Sequence, residues 1–86
     1  MSDRTIEIVN PTGLHTRPAT RFVREARSFS SQITIEKAER RADAKNLVKV
    51  LKIGISKGDR ITISAEGPDA ELAVDHLCGF ISALED

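Results

Sequence analysis

The residues with the clearest chemical potential lie in one short run, Gly13-Leu14-His15-Thr16-Arg17-Pro18-Ala19. The imidazole of His15 offers a ring nitrogen that is a nucleophile when neutral. Two residues later, Arg17 carries a planar guanidinium whose N–H donors match the oxygens of a phosphoryl group. Phosphoryl transfer requires mainly positioning and charge stabilisation rather than several acids and bases. We therefore predict that His15 accepts a phosphoryl group and that Arg17 assists its transfer.

The same run marks the start of a helix. The apolar residues that follow recur at helical spacing and are Ala19, Phe22, Val23 and Ala26. Pro18 fits only in the first turn, where its missing N–H is not needed, so the helix begins at about His15 or Thr16. The unpaired N–H groups and positive dipole of that end favour an anion, and Thr16 and Arg17 are predicted to support it. The alternative is that His15 only caps the helix and Arg17 is an ordinary surface residue.

The rest of the chain supplies the elements that must hold this run. Alternation of polar and apolar residues predicts strands over 5–8, 32–36 and 60–64, with a short strand around 40–43. Asn46 is a good N-cap for a second helix that ends near Gly54, and a third helical pattern runs from Ala70 to Leu84. The order β-α-β-β-α-β-α predicts one domain, residues 1–86, of the α+β class. We expect a two-layer open-faced β-sandwich, with a four-stranded antiparallel sheet and three helices on one face.

Composition narrows the possible functions. The chain has 86 residues, of which 40% are hydrophobic and 30% charged, as in an ordinary globular domain. Neither a membrane-spanning run nor a signal-peptide pattern is present, so we expect no membrane insertion. The single cysteine, Cys78, excludes an internal disulfide and suits the cytoplasm. Two histidines and one cysteine at these separations make no metal site, and we expect neither a metal nor a cofactor.

The charges are unevenly distributed although the formal net charge is zero. Eleven Lys and Arg residues but only four acids lie between His15 and Lys57, whereas the segment from Glu66 to the C-terminus contains six acids and no Lys or Arg. Such polarity steers an anionic partner, either an acidic protein or a nucleic acid. The absence of Trp and Tyr and the presence of only three Phe argue against base stacking, so we expect no nucleic-acid partner. The alternative is that these charges only solvate helix faces.

A docking surface is predicted on the first two helices. On the first helix, the arginines opposite the apolar side are Arg17, Arg21, Arg24 and Arg27. On the second, Lys45, Lys49 and Lys52 follow the i, i+4, i+7 spacing, and Val48 and Ile55 are expected to form an apolar centre. The predicted contact residues are Thr20, Arg24, Arg27, Leu47, Val48, Lys49, Lys52 and Ile55.

The run Gly13–Ala19 closely resembles the signature of HPr, the histidine-containing phosphocarrier family of the bacterial phosphoenolpyruvate:sugar phosphotransferase system. The resemblance extends along the chain through Phe22-Val23, Asp43-Ala44-Lys45, Ser56-Lys57-Gly58 and Ile63-Ser64-Ala65-Glu66-Gly67. It implies a carrier rather than an enzyme. His15 would take a phosphoryl group on Nδ1 from phosphorylated enzyme I, whose donor is phosphoenolpyruvate, and give it to IIA components of sugar permeases. The implied protein is monomeric, and regulatory protein partners remain open.

One position departs from the family pattern. Many HPr proteins carry, at the start of the second helix, a serine that a regulatory kinase phosphorylates, and here that position is Asn46. We predict no such regulation, with the turn residue Ser56 a weak substitute acceptor. A carrier of the related nitrogen branch is an alternative, whereas a regulatory relative without carrier function would lack His15. His76 and Cys78 are expected to be a solvated and a packing residue, respectively.

Overall fold

The computed structural model describes residues 1–85 and contains four strands and three helices in the order β-α-β-β-α-β-α. The strands are β1 (Ser2–Glu7), β2 (Gln32–Lys37), β3 (Arg40–Asp43) and β4 (Arg60–Glu66). The helices are α1 (Thr16–Ala26), α2 (Leu47–Ile53) and α3 (Ala70–Ser82). The predicted element order and the α+β class are confirmed.

The strands form one antiparallel sheet in the order β1-β4-β2-β3. The two central strands alternate between buried and more exposed residues, with Ile33 and Ile35 of β2 and Ile61 and Ile63 of β4 on the buried face. This period of two follows from side chains pointing to opposite faces of a strand. The sheet therefore has one apolar and one polar face, as the alternation predicts.

The helices cover the apolar face. α3 packs on β1 and β4, α2 lies against β3, and α1 contacts both other helices. The buried side of α1 carries Pro18, Ala19, Phe22, Val23 and Ala26. These apolar side chains anchor α1 in the helix layer, while its first turn stays at the molecular surface. With the helices on one face of the sheet, the predicted open-faced sandwich is confirmed.

β1 begins at Ser2, three residues before the predicted start. Ser2 to Arg4 pair with Ala65 to Ile63 of β4, which extends the strand. Asp3 and Arg4 are exposed on this edge strand, so they show no alternation of polar and apolar residues. Backbone pairing with β4, rather than local sequence, sets this boundary.

The ends of α2 are defined by two residues that the sequence identifies. The side chain of Asn46 accepts a hydrogen bond from the Lys49 amide across 3.1 Å, which confirms its role as N-cap. Gly54 closes the helix in the left-handed region, with φ of 73°, and its N–H donates to the Leu51 carbonyl.

Lys45 does not belong to α2, contrary to the predicted basic stripe. It precedes the N-cap, and its ammonium donates to the carbonyl oxygen of Phe29 across 2.7 Å. The Nε of Arg27 in turn donates to the carbonyl oxygen of Lys45 across 3.0 Å. Lys45 therefore joins the end of α1 to the start of α2, and the basic residues on α2 itself are Lys49 and Lys52.

Candidate functional site

A tight turn before α1 positions His15. The amide of Gly13 donates to the Asn10 carbonyl across 3.2 Å, and the Asn10 side-chain Nδ2 donates to the Gly13 carbonyl across 2.9 Å. Asn10 is buried, so these bonds form inside the protein. The sequence identifies Asn10 only as a turn former; its second role, in holding the loop through its side chain, depends on burial that the local sequence does not show.

The next two residues fix the loop against the segment after α2. Gly13 has φ of 61°, and a Cβ atom on it would lie 2.4 Å from the Ile55 carbonyl oxygen. The backbone N–H of Leu14 donates to that same oxygen across 3.1 Å, and the Leu14 side chain is 2% exposed. Close backbone approach thus requires glycine at position 13, and the core anchors the residue directly before His15.

His15 is the N-cap residue of α1, and its ring is exposed. The backbone is extended, with φ of −85° and ψ of −169°, and the His15 carbonyl accepts the first intrahelical bond from Ala19 across 2.9 Å. Within residues 1–85 the imidazole makes no side-chain capping hydrogen bond. The alternative in which the His15 side chain serves only as a cap is therefore not supported, and the ring is available for chemistry.

The first turn of α1 is electrostatically suited to an anion. It contains no acidic residue, and both Thr16 and Arg17 are exposed. Pro18 is buried at a position where no N–H is required. The free N–H groups of the turn, the positive end of the helix dipole and the residue Arg17 are all at the N-terminal end of α1, directly after His15. The structure therefore brings together the predicted acceptor and its predicted supporting residues.

A groove between α1 and α2 adjoins this end of the molecule. Its volume is about 250 Å³, and its lining residues are Thr20, Val23, Arg24, Arg27 and Leu47. Further along α2, Val48 is 61% exposed. Lys49 and Lys52 are exposed as well, and they line a groove toward β3 with Arg40 and Arg41. We call this region, comprising Thr20, Arg24, Arg27, Leu47, Val48, Lys49 and Lys52, the α1–α2 surface. This surface combines one exposed apolar residue, Val48, with four exposed cations, Arg24, Arg27, Lys49 and Lys52.

Ile55 is a correction to the predicted docking residues. It is only 5% exposed, because the chain turns inward after Gly54 and the Ile55 side chain joins the core. Helical spacing cannot be extended to Ile55, since α2 ends at Ile53. Val48 alone provides the large exposed apolar side chain expected at the centre of the surface.

Two other predicted residues point elsewhere. The guanidinium carbon of Arg21 lies 5.4 Å from the ring centroid of Phe80 on α3, a cation–π contact that directs it away from α2. His76 Nε2 lies 2.5 Å from Glu25 Oε1, and its ring packs on Phe29 with centroids 5.5 Å apart. His76 is exposed, as predicted, but it joins α3 to α1 rather than being simply solvated.

Across residues 1–85, no three His, Cys, Asp or Glu side chains are grouped closely enough to hold a metal ion. No helix in the same residues is long and apolar enough to span a bilayer.

Comparison with known proteins decides the family. A family model described as "PTS HPr component phosphorylation site" matches residues 2–83. The chain belongs to the HPr family. Phosphocarrier protein HPr of Haemophilus influenzae is 45% identical over 85 residues, covering 99% of this chain and 100% of that protein. The chain is accordingly an HPr-type phosphocarrier of the phosphotransferase system.

One solved structure and one longer protein are also similar to this chain. The crystal structure of HPr-C-His from Thermoanaerobacter tengcongensis has a TM-score of 0.93 and 44% identity, covering 96% of this chain and 93% of that chain. A multiphosphoryl transfer protein of Xanthomonas campestris is 43% identical over 77 residues, which are 90% of this chain but 9% of that protein. An HPr-like segment thus occurs within a much longer phosphoryl-transfer protein.

Proposed function

We propose that this chain carries a phosphoryl group on Nδ1 of His15, receives it from phosphorylated enzyme I and delivers it to IIA components of sugar permeases. One observation carries the proposal. In a chain of the HPr family, the His15 imidazole at the start of α1 is exposed and makes no capping hydrogen bond. The match to a multiphosphoryl transfer protein supports partners that themselves transfer phosphoryl groups. We place the protein in the cytoplasm as a monomer that acts without metal or cofactor and is not itself an enzyme.

Loading is a single displacement at phosphorus. The ring nitrogen of His15 attacks the phosphorus atom, a P–N bond forms, and the bond from phosphorus to the donor atom of enzyme I breaks with its electron pair remaining on the donor. The transferred group brings a charge of roughly −2 to a surface that has a guanidinium and free N–H groups. Arg17 and the first turn of α1 stabilise that charge as it arrives.

Unloading reverses the same geometry. The His15–phosphorus bond breaks as a nucleophile on IIA attacks from the opposite side, and the imidazole leaves as a stable ring. Because the site is at the surface rather than in a cleft, donor and acceptor can approach it in turn. One phosphoryl-bearing residue therefore serves both reactions.

The α1–α2 surface is the proposed docking site for both partners. Arg24, Lys49 and Lys52 supply positive charge, and Val48 supplies an apolar contact that a partner can bury. Partners with acidic patches would be steered to this side of the molecule and oriented toward His15.

The serine-dependent regulation known in the family is not expected here. Asn46 lacks a hydroxyl group, and its side chain is engaged by the Lys49 amide as the cap of α2. Incubation with a kinase that phosphorylates the family's serine should leave this chain unlabelled. Labelling next to Asn46 would contradict this expectation.

Isotope transfer from phosphoenolpyruvate tests the proposal. The protein is incubated with labelled phosphoenolpyruvate and enzyme I, and the stability of the bound label is compared in acid and base. We expect acid-labile, base-stable label on the unmodified chain and on His76→Ala, which removes the other of the two histidines, but none on His15→Ala. Labelling of His15→Ala, or failure of the unmodified chain to label, would contradict the proposal.

A further inference from the structure

Lys37, the last residue of β2, connects two ends of the segment that follows α2. Its Nζ donates to the Gly54 carbonyl oxygen across 2.8 Å and lies 2.8 Å from Oδ2 of Asp59. The Lys37 and Asp59 side chains are 29% and 26% exposed, so this ion pair is more sheltered than an ordinary surface pair. We call residues 54–59 the support turn, since Lys37 bridges its first and last residues.

Asp59 also organises the interior of the support turn. The oxygen that pairs with Lys37 accepts the backbone N–H of Ser56 across 2.7 Å. The hydrogen bond from Lys37, followed by that from Ser56, lowers the pKa of Asp59 below its ordinary value. The carboxylate is therefore charged at neutral pH and binds both the ammonium and the turn's backbone.

The support turn is the surface on which the His15 loop rests. Its Ile55 carbonyl accepts the Leu14 amide across 3.1 Å, directly before His15. At the other end of the support turn, the Asp59 carbonyl accepts a hydrogen bond from the Ile8 amide across 2.8 Å. The Gly58 amide donates to the Ile8 carbonyl across 2.7 Å. The path from Lys37 to the loop is therefore a chain of short backbone contacts. A shift of the support turn must move the anchor of His15.

We propose that Lys37 and Asp59 are positioning residues for phosphoryl transfer, acting through the support turn on the loop that carries His15. The inference rests on the proposed role of His15 and names residues that this role does not by itself require. In-line attack at phosphorus is sensitive to displacement, since a misplacement of about 1 Å can lower a rate by about a hundredfold. A sheltered ion pair at this point limits such displacement.

The pair is local, so its loss should affect the loop more than the fold. The sheet and helices are held by a core whose largest members include Phe22, Ile35 and Ile63. Leu14 and Ile55 also stay anchored there through their own side chains. Removing the ammonium should therefore loosen residues 54–59 while the rest of the molecule remains folded.

The test substitutes Lys37→Met, which keeps the stem but removes the charge. The rate at which a fixed amount of enzyme I loads His15 is measured against the concentration of each variant, at a temperature where circular dichroism shows every variant folded. We expect kcat to fall about tenfold with KM within about twofold, because positioning rather than docking is disturbed. Hydrogen exchange of the Leu14 amide should accelerate by a similar factor, which reports the loop directly.

Arg41→Met is the matched control. Arg41 is on β3 and pairs with Glu36, the residue of β2 directly before Lys37. Its Nε lies 3.8 Å from Glu36 Oε1 in an exposed ion pair. Its loss should leave kcat and Leu14 exchange unchanged. Lys37→Arg, which retains donors for both acceptors, should restore most of the rate and serves as the second variant if Lys37→Met does not fold.

The outcomes separate this inference from the proposed function. If the unmodified chain does not load at His15, the proposed function fails. If it loads and Lys37→Met shows the same kcat, or a lower kcat with unchanged Leu14 exchange, the positioning role is wrong. If Lys37→Met does not fold and Lys37→Arg loads at a rate far below that of the unmodified chain without faster Leu14 exchange, the positioning role is also overturned.

Discussion

The backbone N–H of Leu14 donates to the carbonyl oxygen of Ile55 across 3.1 Å and thereby joins the loop before α1 to the segment after α2. Both side chains are buried, whereas the neighbouring His15 is exposed. The core thus anchors Leu14, the residue before His15, while the imidazole stays at the surface. This arrangement explains how the fold holds an exposed imidazole in a defined place.

Replacing Gly13 should disrupt that contact more than the fold class. Gly13→Ala costs about 1–2 kcal/mol for the left-handed backbone, and the new Cβ would lie 2.4 Å from the Ile55 carbonyl oxygen, so the loop must shift. Gly54→Ala is the matched control: its φ of 73° carries a similar backbone cost, but, apart from the adjacent residues in the chain, no atom of the described residues lies within 4 Å of the added Cβ. Urea unfolding should show a larger loss of free energy for Gly13→Ala, together with slower His15 loading. Equal losses for the two variants would contradict the close approach.

Arg17 should affect transfer without affecting stability. Its side chain is exposed in the first turn of α1, so Arg17→Ala is expected to leave the unfolding midpoint unchanged. Loss of a charged donor near the transferred group should slow loading by roughly tenfold to a hundredfold. Loading is measured by stopped flow, with Arg21→Ala as the control. Arg21 is on the same helix but contacts Phe80, so this variant should load at the normal rate. If both variants load equally fast, Arg17 has no role in transfer.

Charge reversal on the α1–α2 surface should weaken docking. Lys49→Glu replaces an exposed cation on α2 and should lower the association rate with enzyme I, most strongly at low salt where screening is weak. Arg4→Glu makes the same change in net charge at the opposite edge of the sheet, where Arg4 pairs with Asp75, and should have a smaller effect. Surface plasmon resonance at two salt concentrations would measure both rates. A salt-independent loss, or equal losses, would contradict docking at this surface.

Asp69 should contribute an acid-sensitive part of the stability. Its carboxylate accepts hydrogen bonds from the hydroxyl of Ser31 and the amides of Ser30 and Ser31, and the Ser31 hydroxyl contact is the main cause of a pKa lowered from 3.8 to about 2. Because the folded-state pKa is depressed, this stabilisation is complete above the unfolded value and is lost as the pH falls from about 4 toward 2.

Asp69→Asn tests that window. The variant should be less stable than the unmodified chain near neutral pH, and the difference in urea midpoint should shrink as the pH approaches 2. The exposed acid Glu71, at the start of α3, provides the control Glu71→Gln. A midpoint difference for Asp69→Asn that stays constant from pH 7 to 2 would show that titration of this carboxylate is not the cause.

Local sequence predicts the start of α1 well, because a proline such as Pro18 is tolerated only in the first turn of a helix. Asn46 and Gly54 delimit α2 for equally local reasons, since capping depends on one or two neighbouring residues. The prediction for Ile55 is wrong because it extends helical spacing past the cap, and that for Lys45 is wrong because it begins the spacing before the cap. Position relative to a helix end, rather than residue type, decides which side chains lie on the exposed face of the helix.

The supports of the His15 loop could not be predicted from the sequence. Lys37 is the last residue of β2, and Asp59 directly precedes β4. Their contact therefore exists only once β2 and β4 pair. The buried side-chain bond of Asn10 likewise depends on the packing of the finished fold. Sequence reasoning singles out His15 as the predicted phosphoryl acceptor, whereas the fold shows what holds the His15 loop in place.

Phosphorus NMR of the loaded protein tests the central claim most directly. The chain is loaded from phosphoenolpyruvate with enzyme I, its spectrum is recorded, and a IIA component is then added. The account predicts a phosphorus signal that couples to Nδ1 of His15 in nitrogen-labelled protein and that disappears when IIA is added. A signal on any other residue, or one on His15 that persists in the presence of IIA, would contradict the account.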